Sequence, residues 1–499
     1  MSSSPQDGVQ SVDVVVIGSG PGGYVCAIRL GQLGKSVAIV EREKVGGVCL
    51  NIGCIPSKAI ITAGKIAKDA RSAGKMGIDA QVIVDLPRLQ KWKQSVADKL
   101  TTGVSLLLKS YKVNVIHGEA SIEAPGVVSV RKTAGTQASS EVTKIKCKDI
   151  VVATGSSSIE LPNLKFDGKY IISSTEALSI DVPPKRMLIV GGGVIGLEIG
   201  MAYANLIGTE LIIVELLDQL LPGVDLDLVN VVMKNLQRMG SQIHLKSRVK
   251  SASVLPGKGD GHQGAVKVVF ETSDGQEHTE TVDCVLVSVG RKPNSKGVGL
   301  GEIGVELDPK GFVKVNKEMK TNVSNVYAIG DVVGGPLLAH KATKEGIVAA
   351  EVIYGMKSSF DNVAIPSAIF TDPEIAITGQ SPAEVKSQGI ETSVGRFPFS
   401  VNGKALANPE PEGFIKVIAD KESGLLLGVG IVGREASDLI SEATLALEMG
   451  ATLEDVALTI HPHPTLPEAF TESAENALGK AIHIQNRRLL DRRADAQTQ

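Results

Sequence analysis

The most constraining feature of the sequence is a repeated pattern of a strand, a glycine-rich turn, a helix and a second strand that ends in an acid. In the first copy the turn is Gly18-Ser19-Gly20-Pro21-Gly22-Gly23 and the acid is Glu41. In the second copy the turn is Gly191-Gly192-Gly193-Val194-Ile195-Gly196 and the acid is Glu215. Each copy predicts a βαβ unit with parallel strands and a right-handed crossover. The chain is therefore predicted to be an α/β protein with two Rossmann-like domains.

The glycine spacing in both turns is typical of dinucleotide binding. The first glycine permits a tight turn, the second lets the backbone approach a pyrophosphate, and the third lets the helix pack closely on the strand. The helix N-terminus offers free N–H groups to the diphosphate, and the terminal acid accepts hydrogen bonds from ribose hydroxyls. One such turn alone is weak evidence, since glycine-rich turns are common. Two complete copies predict two dinucleotide sites.

The acid of the second copy also predicts which nicotinamide cofactor is used. A carboxylate at Glu215 would repel a 2′-phosphate, and the residues that follow it are Leu216 and Leu217 rather than arginine. The second site is therefore predicted to take NAD rather than NADP.

Composition and charge exclude several classes of protein. The 54 glycines among 499 residues follow no Gly-X-Y period, which excludes collagen. A net charge of −3 and 3% aromatic residues give no case for binding nucleic acid or an anionic membrane. The apolar residues 187–208 could span a membrane by length, but their glycines and Glu198 favour a strand, a turn and a buried helix. We expect no membrane span.

Cysteine usage and the polar start of the chain predict the compartment. Five cysteines in a chain of this length are not a secreted disulfide scaffold, which indicates a reducing compartment. Residues 1–8 show neither a signal-peptide nor a transit-peptide pattern, so we expect a cytoplasmic protein, with a processed organellar form as the alternative.

Two of the cysteines lie five residues apart, in Cys49-Leu50-Asn51-Ile52-Gly53-Cys54. Two unrelated buried cysteines and a metal site are the alternatives. Metal pairs usually have shorter spacing and need two further ligands, and no nearby His or Cys supplies them, so no metal is predicted. A pair near a helix start can close an exchangeable disulfide, and the helix N-terminus would make one thiolate available.

Residues 46–58, which contain this pair, resemble the redox-active disulfide motif of the flavoprotein disulfide reductases, the class I pyridine nucleotide-disulfide oxidoreductase family. The form of the motif is similar to that of the members that oxidise dihydrolipoamide. Further segments resemble family motifs in family order: Ala153-Thr154-Gly155, Gly330-Asp331, and His461 to Glu468. Two positions depart from the usual pattern, because Val48 stands where Thr is usual and Leu337 where Met is common. Both lie near the flavin site that the resemblance implies, and neither removes a catalytic group.

The resemblance implies that FAD and NAD are the cofactors and assigns roles to six residues. Cys49 is expected to be the interchange thiol and Cys54 the flavin-proximal thiol. His463 is expected to be the general acid and base, with Glu468 orienting its ring. The two remaining residues, expected to pair with each other near the flavin, are Lys58 and Glu198. His461 is assigned no chemistry.

The remaining predicted cofactor contacts follow the two glycine turns and the motifs of the family. Together with Lys58 and Glu198 they are Gly18, Gly20, Pro21, Gly23, Glu41, Gly47, Gly118, Ala120, Thr154, Gly155, Ser156, Gly191, Gly193, Val194, Ile195, Gly196, Glu215, Val249, Gly290, Asp331, Leu337, Leu338, Ala339 and His340.

The predicted organisation is a FAD domain of residues 1–157 and 288–360, an NAD domain of residues 158–287, and a C-terminal α+β dimerisation domain of residues 361–499. The resemblance implies a homodimer whose active site is shared across the interface. The implied reaction is the oxidation of protein-bound dihydrolipoamide to lipoamide with NAD⁺ as acceptor. The implied partners are the lipoyl domains of 2-oxo acid dehydrogenase complexes or the lipoyl carrier of glycine cleavage.

Four alternative functions are weighed against this one. A glutathione or trypanothione reductase would need cations where Glu215 stands. A mercuric reductase would carry a C-terminal cysteine pair, whereas the last cysteine here is Cys284. A soluble transhydrogenase would lack the cysteine pair. A purely structural role is disfavoured by the intact Cys49, Cys54 and His463.

Overall fold

The computed structural model describes residues 10–134, 137–257 and 264–486. Residues 1–8, on which the absence of a leader was predicted, lie outside this part of the chain. The described residues divide into two compact units. The first lies within Met1–Ala59, Pro87–Ile159 and Gly290–Asp361, and the second within Ile60–Leu86, Glu160–Val289 and Asn362–Gln499. The three domains predicted above remain a prediction.

The strands of the described residues are short, mostly three to eight residues long. In chain order they are β1 (Gln10–Ser11), β2 (Val14–Ile17), β3 (Val37–Glu41), β4 (Asn114–His117), β5 (Glu119–Ala124), β6 (Val127–Ala134), β7 (Gln137–Lys146), β8 (Asp149–Val152), β9 (Ser156–Ser158), β10 (Ile171–Ile172), β11 (Arg186–Val190), β12 (Glu210–Val214), β13 (Gln242–His244), β14 (Arg248–Leu255), β15 (Ala265–Glu271), β16 (Glu277–Val282), β17 (Cys284–Val287), β18 (Arg291–Pro293), β19 (Val326–Ala328), β20 (Ser367–Ile369), β21 (Glu374–Gly379), β22 (Thr392–Pro398), β23 (Phe414–Asp420) and β24 (Leu426–Gly433).

The helices of the same residues alternate with these strands. In chain order they are α1 (Pro21–Gln32), α2 (Gly47–Ile52), α3 (Cys54–Ser72), α4 (Leu86–Ser110), α5 (Ser174–Ala177), α6 (Val194–Ile207), α7 (Leu226–Arg238), α8 (Ala339–Tyr354), α9 (Pro382–Ser387), α10 (Gly403–Leu406), α11 (Ala436–Glu448), α12 (Leu453–Leu458) and α13 (Glu468–Leu478), with 3₁₀ turns at Ala73–Met76, Gly330–Val333 and Phe399–Val401.

A parallel five-stranded sheet forms the centre of the first unit, in the order β19-β8-β2-β3-β4. Its middle strand, Val14–Ile17, is β-branched throughout and buried on both faces, as expected for a parallel sheet covered on both sides. Helix α1 begins at Pro21, whose fixed φ and missing N–H suit the first helical position. The carboxyl ends of β2, β3 and β8 meet at one edge, where the first glycine turn lies.

The second unit repeats this design and adds an antiparallel sheet. Its parallel sheet has the order β10-β17-β11-β12-β13, and its second glycine turn joins β11 to α6. The antiparallel sheet β20-β21-β24-β23-β22 lies in the C-terminal part of the chain. Helices α11 and α13 pack against this sheet around a core that includes Phe397, Ile431 and Phe470. The two βαβ units and the C-terminal α+β region confirm the predicted α/β class.

One strand that the sequence pattern favours is divided in the structure. Residues 144–152 read as a single strand that runs into Ala153-Thr154-Gly155. The chain instead forms β7 and β8 there, in two different sheets. The break falls at Cys147 and Lys148, whose N–H groups bond to Gly126 O and Asp13 O instead of continuing a ladder. The alternation of Ile145 and Cys147 ends at the two polar residues Lys148 and Asp149, which coincide with the break.

The apolar residues 187–208 form a strand, a turn and the buried helix α6, as expected. Another segment of the described chain, Gly47–Met76, is long and apolar enough to cross a membrane by length and composition alone. It consists of two helices that meet at Gly53, where φ is −145° and ψ is −115°. This is weak evidence for a span.

Candidate functional site

The first glycine turn is shaped by contacts of its own backbone. Gly18 has φ of +100°, and a Cβ there would collide with Ala153 O. A Cβ at Gly23 would collide with Gly18 O, so the third glycine brings α1 against the turn. A Cβ at Gly20 would have nothing within 4 Å, so the second glycine faces open space. The turn thus offers an unobstructed backbone at the N-terminus of α1, which fits a diphosphate.

The second turn has the same construction. Gly191 has φ of +99° and approaches Ser288 O, while Gly196 packs against Ile189 and the Ser288 hydroxyl. The middle glycine, Gly193, again faces open space. The residues present therefore fit a dinucleotide at both turns.

Each terminal acid is bonded to the backbone of its own turn. Glu41 Oε2 accepts hydrogen bonds from the N–H (2.9 Å) and hydroxyl (2.6 Å) of Ser19, and its Oε1 accepts one from Glu43 N (2.8 Å). In the second copy Glu215 Oε2 accepts from Gly192 N (2.6 Å) and Oε1 from Leu217 N (2.8 Å). Both side chains are buried, so the acids hold the turns in addition to any contact with a ribose.

The redox segment packs directly on the first turn. Gly47 has φ of +59°, and a Cβ there would lie 2.7 Å from Gly20 Cα. Gly46 N donates to Ser19 O at 3.0 Å. Only glycine allows this close approach, which places helix α2 and its Cys49 beside the nucleotide turn.

Cys49 lies in α2, partly buried, and Cys54 is the exposed first residue of α3; neither forms a disulfide. The bond to the Cys54 side chain and burial raise the pKa of Cys49, while the charge of Lys58 lowers it. The net shift is strongly upward, which favours the protonated form of the Cys49 thiol while the two sulfurs are reduced and bonded to each other.

A polar network joins three distant segments of the first unit. The Ser156 hydroxyl donates to Asp331 Oδ2, and Arg291 donates to the hydroxyl (2.7 Å) and carbonyl (2.6 Å) of Ser156. Burial lowers the pKa of Arg291, while the charges of Asp331 and Cys54 raise it. The buried hydroxyl of Thr154 has no hydrogen-bond partner, which leaves it available to a ligand. These residues fit the polar contacts that a flavin dinucleotide requires.

A buried ion pair holds the backbone next to Asp331 in place. Lys341 Nζ lies 2.8 Å from Glu345 Oε1, and Gly330 N donates to Glu345 Oε2 at 2.7 Å. Burial raises the pKa of Glu345, and Lys341 opposes that shift. The pair therefore fixes the turn that begins at Gly330.

The other predicted contacts lie at several places in the two units. In the first unit, Gly118 N donates to Glu41 O at 2.9 Å, Ala120 follows in β5, and Gly155 has φ of +70°. Leu337 and Leu338 precede α8, whose first residues are Ala339 and His340. In the second unit, Val194 and Ile195 begin α6, and Val249 is buried in β14. Gly290, in the first unit, has φ of +127°.

Glu198 lies in α6 of the second unit with 5% of its surface exposed. Its Oε1 accepts a hydrogen bond from Phe370 N at 2.8 Å. Lys58 lies in α3 within the first unit. The pairing of Lys58 with Glu198 stays a prediction.

His463 and Glu468 form a hydrogen-bonded dyad in the second unit, with 2.7 Å between His463 Nδ1 and Glu468 Oε1. The second carboxylate oxygen of Glu468 accepts from Thr465 N at 2.6 Å. Burial raises the pKa of Glu468, but the bonds from Thr465 and His463 outweigh it and lower the pKa overall. The His463 side chain is 78% exposed, so its Nε2 side faces outward from this chain. The arrangement can take up and return a proton at an exposed ring.

Sequence reasoning missed three contributors to these sites. Ser19 bonds to Glu41, Arg291 bonds to Ser156, and Glu345 bonds to Gly330. Ser19 lies inside the glycine turn and could have been suspected, whereas the other two are marked by no local pattern. Among the residues that the structure describes, no group of three or more His, Cys, Asp or Glu side chains is placed to hold a metal ion.

Comparison with known proteins identifies the family. Residues 12–346 match the model of the pyridine nucleotide-disulphide oxidoreductases, and residues 365–474 match the dimerisation domain of that family. A dihydrolipoyl dehydrogenase of Bacillus subtilis is 46% identical over 95% of this chain and 97% of that relative. One of Haloferax volcanii is 45% identical over 95% of this chain and 98% of that relative.

Solved structures show the same fold. The crystal structure of LpdA from Mycobacterium tuberculosis has a TM-score of 0.83 and 26% identity, covering 93% of this chain and 99% of that one. The HOCl-induced flavoprotein disulfide reductase RclA of Escherichia coli has a TM-score of 0.80 at 23% identity, covering 93% of this chain and 99% of its own, which supports the fold alone. The chain belongs to the pyridine nucleotide-disulphide oxidoreductase family and carries its C-terminal dimerisation domain.

Proposed function

We propose that this protein oxidises dihydrolipoyl groups to lipoyl disulfides with NAD⁺ as acceptor, using FAD and the Cys49–Cys54 pair. The observation that carries the proposal is the His463–Glu468 dyad, because oxidation of a dithiol needs a base that accepts its proton. The cysteine pair beside a dinucleotide turn supplies the electron acceptor. The relatives at 45–46% identity carry the name of this activity.

The cysteine pair and the dyad carry out the exchange with substrate. A dihydrolipoyl thiolate attacks Cys49 Sγ of the disulfide and releases Cys54 as a thiolate. The second dihydrolipoyl thiol gives its proton to His463 Nε2 and attacks the first lipoyl sulfur, which releases Cys49 and closes the lipoyl disulfide. Two electrons thereby pass from substrate to the cysteine pair. Glu468 stabilises the imidazolium that forms.

FAD, when bound, supplies the two-electron chemistry that links the cysteine pair to the nicotinamide. The residues that would hold it are Gly18, Gly20, Glu41, Thr154 and Asp331. Those that would hold NAD are Gly191, Gly193, Gly196 and Glu215. Their contribution is to position the two nucleotides and to exclude water.

The finer proposal is that His463 of one subunit serves the cysteine pair of the second subunit in a homodimer. The exposure of His463 supports it, and so does the apolar surface beside it, where Leu458 is 78% and Ile460 95% exposed. Exposed apolar residues next to a catalytic ring indicate a surface that a partner covers. The lipoyl substrate is attached to the lipoyl domains of 2-oxo acid dehydrogenase complexes or to the lipoyl carrier of glycine cleavage, in a cytoplasmic setting.

The test is a stopped-flow comparison of dihydrolipoamide and glutathione, each paired with NAD or NADP, on the purified flavoprotein. We expect rapid turnover only with dihydrolipoamide and NAD. Preference for glutathione with NADP, or a protein purified gently without any flavin absorbance, would overturn the proposal.

A further inference from the structure

The histidine two residues before the catalytic candidate has a role that the sequence did not suggest. We define the His463 loop as residues 459–467, which connect α12 to α13. From residue 458 to residue 464 every side chain is exposed except that of His461, which is 7% exposed. His461 is therefore the one side chain of residues 458–464 that is anchored in the interior of the unit. The bond from His463 to Glu468 is a second, solvent-exposed link between this half of the loop and α13.

Both nitrogens of the His461 ring are engaged. Nε2 lies 2.7 Å from Glu442 Oε1, in α11. Nδ1 lies 2.9 Å from Thr459 O and 2.6 Å from Thr471 Oγ1, in α13. The ring thus connects α11, α13 and the beginning of the loop at a single point.

The partners of His461 also indicate how its ring is used. A carboxylate oxygen accepts hydrogen bonds, so Nε2 is placed to donate to Glu442. The tautomer of the ring decides whether Nδ1 donates to Thr459 O or accepts from the hydroxyl of Thr471. His461 therefore acts on the dyad through the loop that carries His463.

We propose that His461 is a positioning residue of the thiol half-reaction, which holds the His463 loop through Glu442 and Thr471 so that the His463–Glu468 dyad keeps its alignment. This inference rests on the proposed function. The second half of the loop has its own support, because Asn402 Nδ2 donates to Thr465 O at 3.0 Å. In the half that carries His463, the buried ring of His461 adds its bonds to the one between His463 and Glu468.

The test replaces His461 by Phe, which keeps a ring of similar size and removes the polar contacts. His483→Phe is a matched control, since His483 forms the same kind of pair with Glu472 of α13 but lies outside the loop. We measure kcat and KM for dihydrolipoamide and NAD⁺, and the rate at which NADH reduces an artificial acceptor, which does not need His463. Hydrogen exchange of peptides covering residues 459–467 reports on the loop without any substrate.

For His461→Phe we expect a loss of kcat with dihydrolipoamide of about tenfold or more, because displacement of a catalytic group by about 1 Å costs up to about a hundredfold. The KM for NAD⁺ and the NADH reaction should stay within twofold of wild type, and loop exchange should accelerate. His461→Gln, whose amide can still donate to Glu442, should restore part of the loss. His483→Phe should behave as wild type.

Full activity of His461→Phe with unchanged loop exchange overturns the inference, and so does equal slowing of both half-reactions. If His461→Phe no longer binds flavin or no longer dimerises, the variant Thr471→Val is the deciding test. A rate loss confined to the thiol half-reaction of Thr471→Val supports the inference, and unchanged rates refute it. If wild type itself does not oxidise dihydrolipoamide, the proposed function fails, and loop exchange alone decides whether His461 is the anchor.

Discussion

The bonds from Glu215 to its own glycine turn give a prediction whose size follows from the structure. Replacing Glu215 by Ala leaves two backbone N–H groups without their acceptor, those of Gly192 and Leu217. Gly192 is buried, so its unpaired N–H costs about 1–3 kcal/mol. Leu217 is 48% exposed, and water can replace its acceptor at a cost below about 1 kcal/mol. The expected local destabilisation is about 1–4 kcal/mol.

The same substitution should weaken NAD binding, because a charged acceptor for the ribose is lost. We expect KM for NAD⁺ to rise about 10- to 100-fold, from a hydrogen bond to a charged group worth about 1.5–3 kcal/mol. KM for NADP⁺ should change less, so the preference for NAD should fall.

Two measurements check this prediction. Hydrogen exchange of peptides covering residues 191–217 reports the local loss of stability, and steady-state kinetics with both nucleotides report specificity. Fluorescence of the single tryptophan would not serve, since Trp92 lies in the first unit. Glu210→Ala is the matched control, because Glu210 begins β12, the strand that Glu215 directly follows, and its side chain is 72% exposed. Wild-type exchange and an unchanged NAD-to-NADP ratio in Glu215→Ala would refute the reasoning.

Three further outcomes are expected. Cys49→Ser should abolish dihydrolipoamide turnover while flavin absorbance is retained; loss of the flavin would contradict the role of Cys49 as the exchanging thiol. His463→Gln should slow the thiol half-reaction at least a hundredfold more than the reduction of an artificial acceptor by NADH, as general base catalysis contributes about 10²–10⁴; equal slowing would indicate a structural histidine. Bonds from Lys148 and Ser36 hold the pKa of Asp13 well below its usual value, so its stabilising effect is present above about pH 4 and is lost as pH falls further. Asp13→Asn should therefore lower the unfolding temperature at pH 7, and the loss in free energy of unfolding should be below about 1 kcal/mol because the ion pair is exposed. The difference in unfolding temperature between variant and wild type should be smaller at pH 3 than at pH 7. An equal difference at both pH values would contradict this.

Features that depend on neighbouring residues were predictable from the sequence. The glycine turns, the helices after them and the cysteine pair each occupy a short segment whose pattern has a direct steric or chemical reason. The dyad is also local, because His463 and Glu468 are five residues apart.

Features that depend on tertiary packing were not predictable. Arg291 reaches Ser156 across 135 residues, and Glu345 reaches Gly330 only because α8 packs behind that turn. The sequence indicated no role for His461 because its partner Glu442 belongs to another helix, α11. The division of residues 144–152 into two strands depends on which sheet each half joins, and apolar periodicity carries no information about that choice.

The acid-to-turn bonds occur in both halves of the chain, at Glu41 and at Glu215. A turn that is tied to its own strand end by the protein is preorganised, so a nucleotide that binds there has little backbone entropy to remove. The binding free energy is then not reduced by the entropy cost of ordering a loop, so the contacts of the nucleotide contribute more fully to its affinity. Two cofactors that must stay aligned through repeated turnover benefit from the same rigid construction, used once for each.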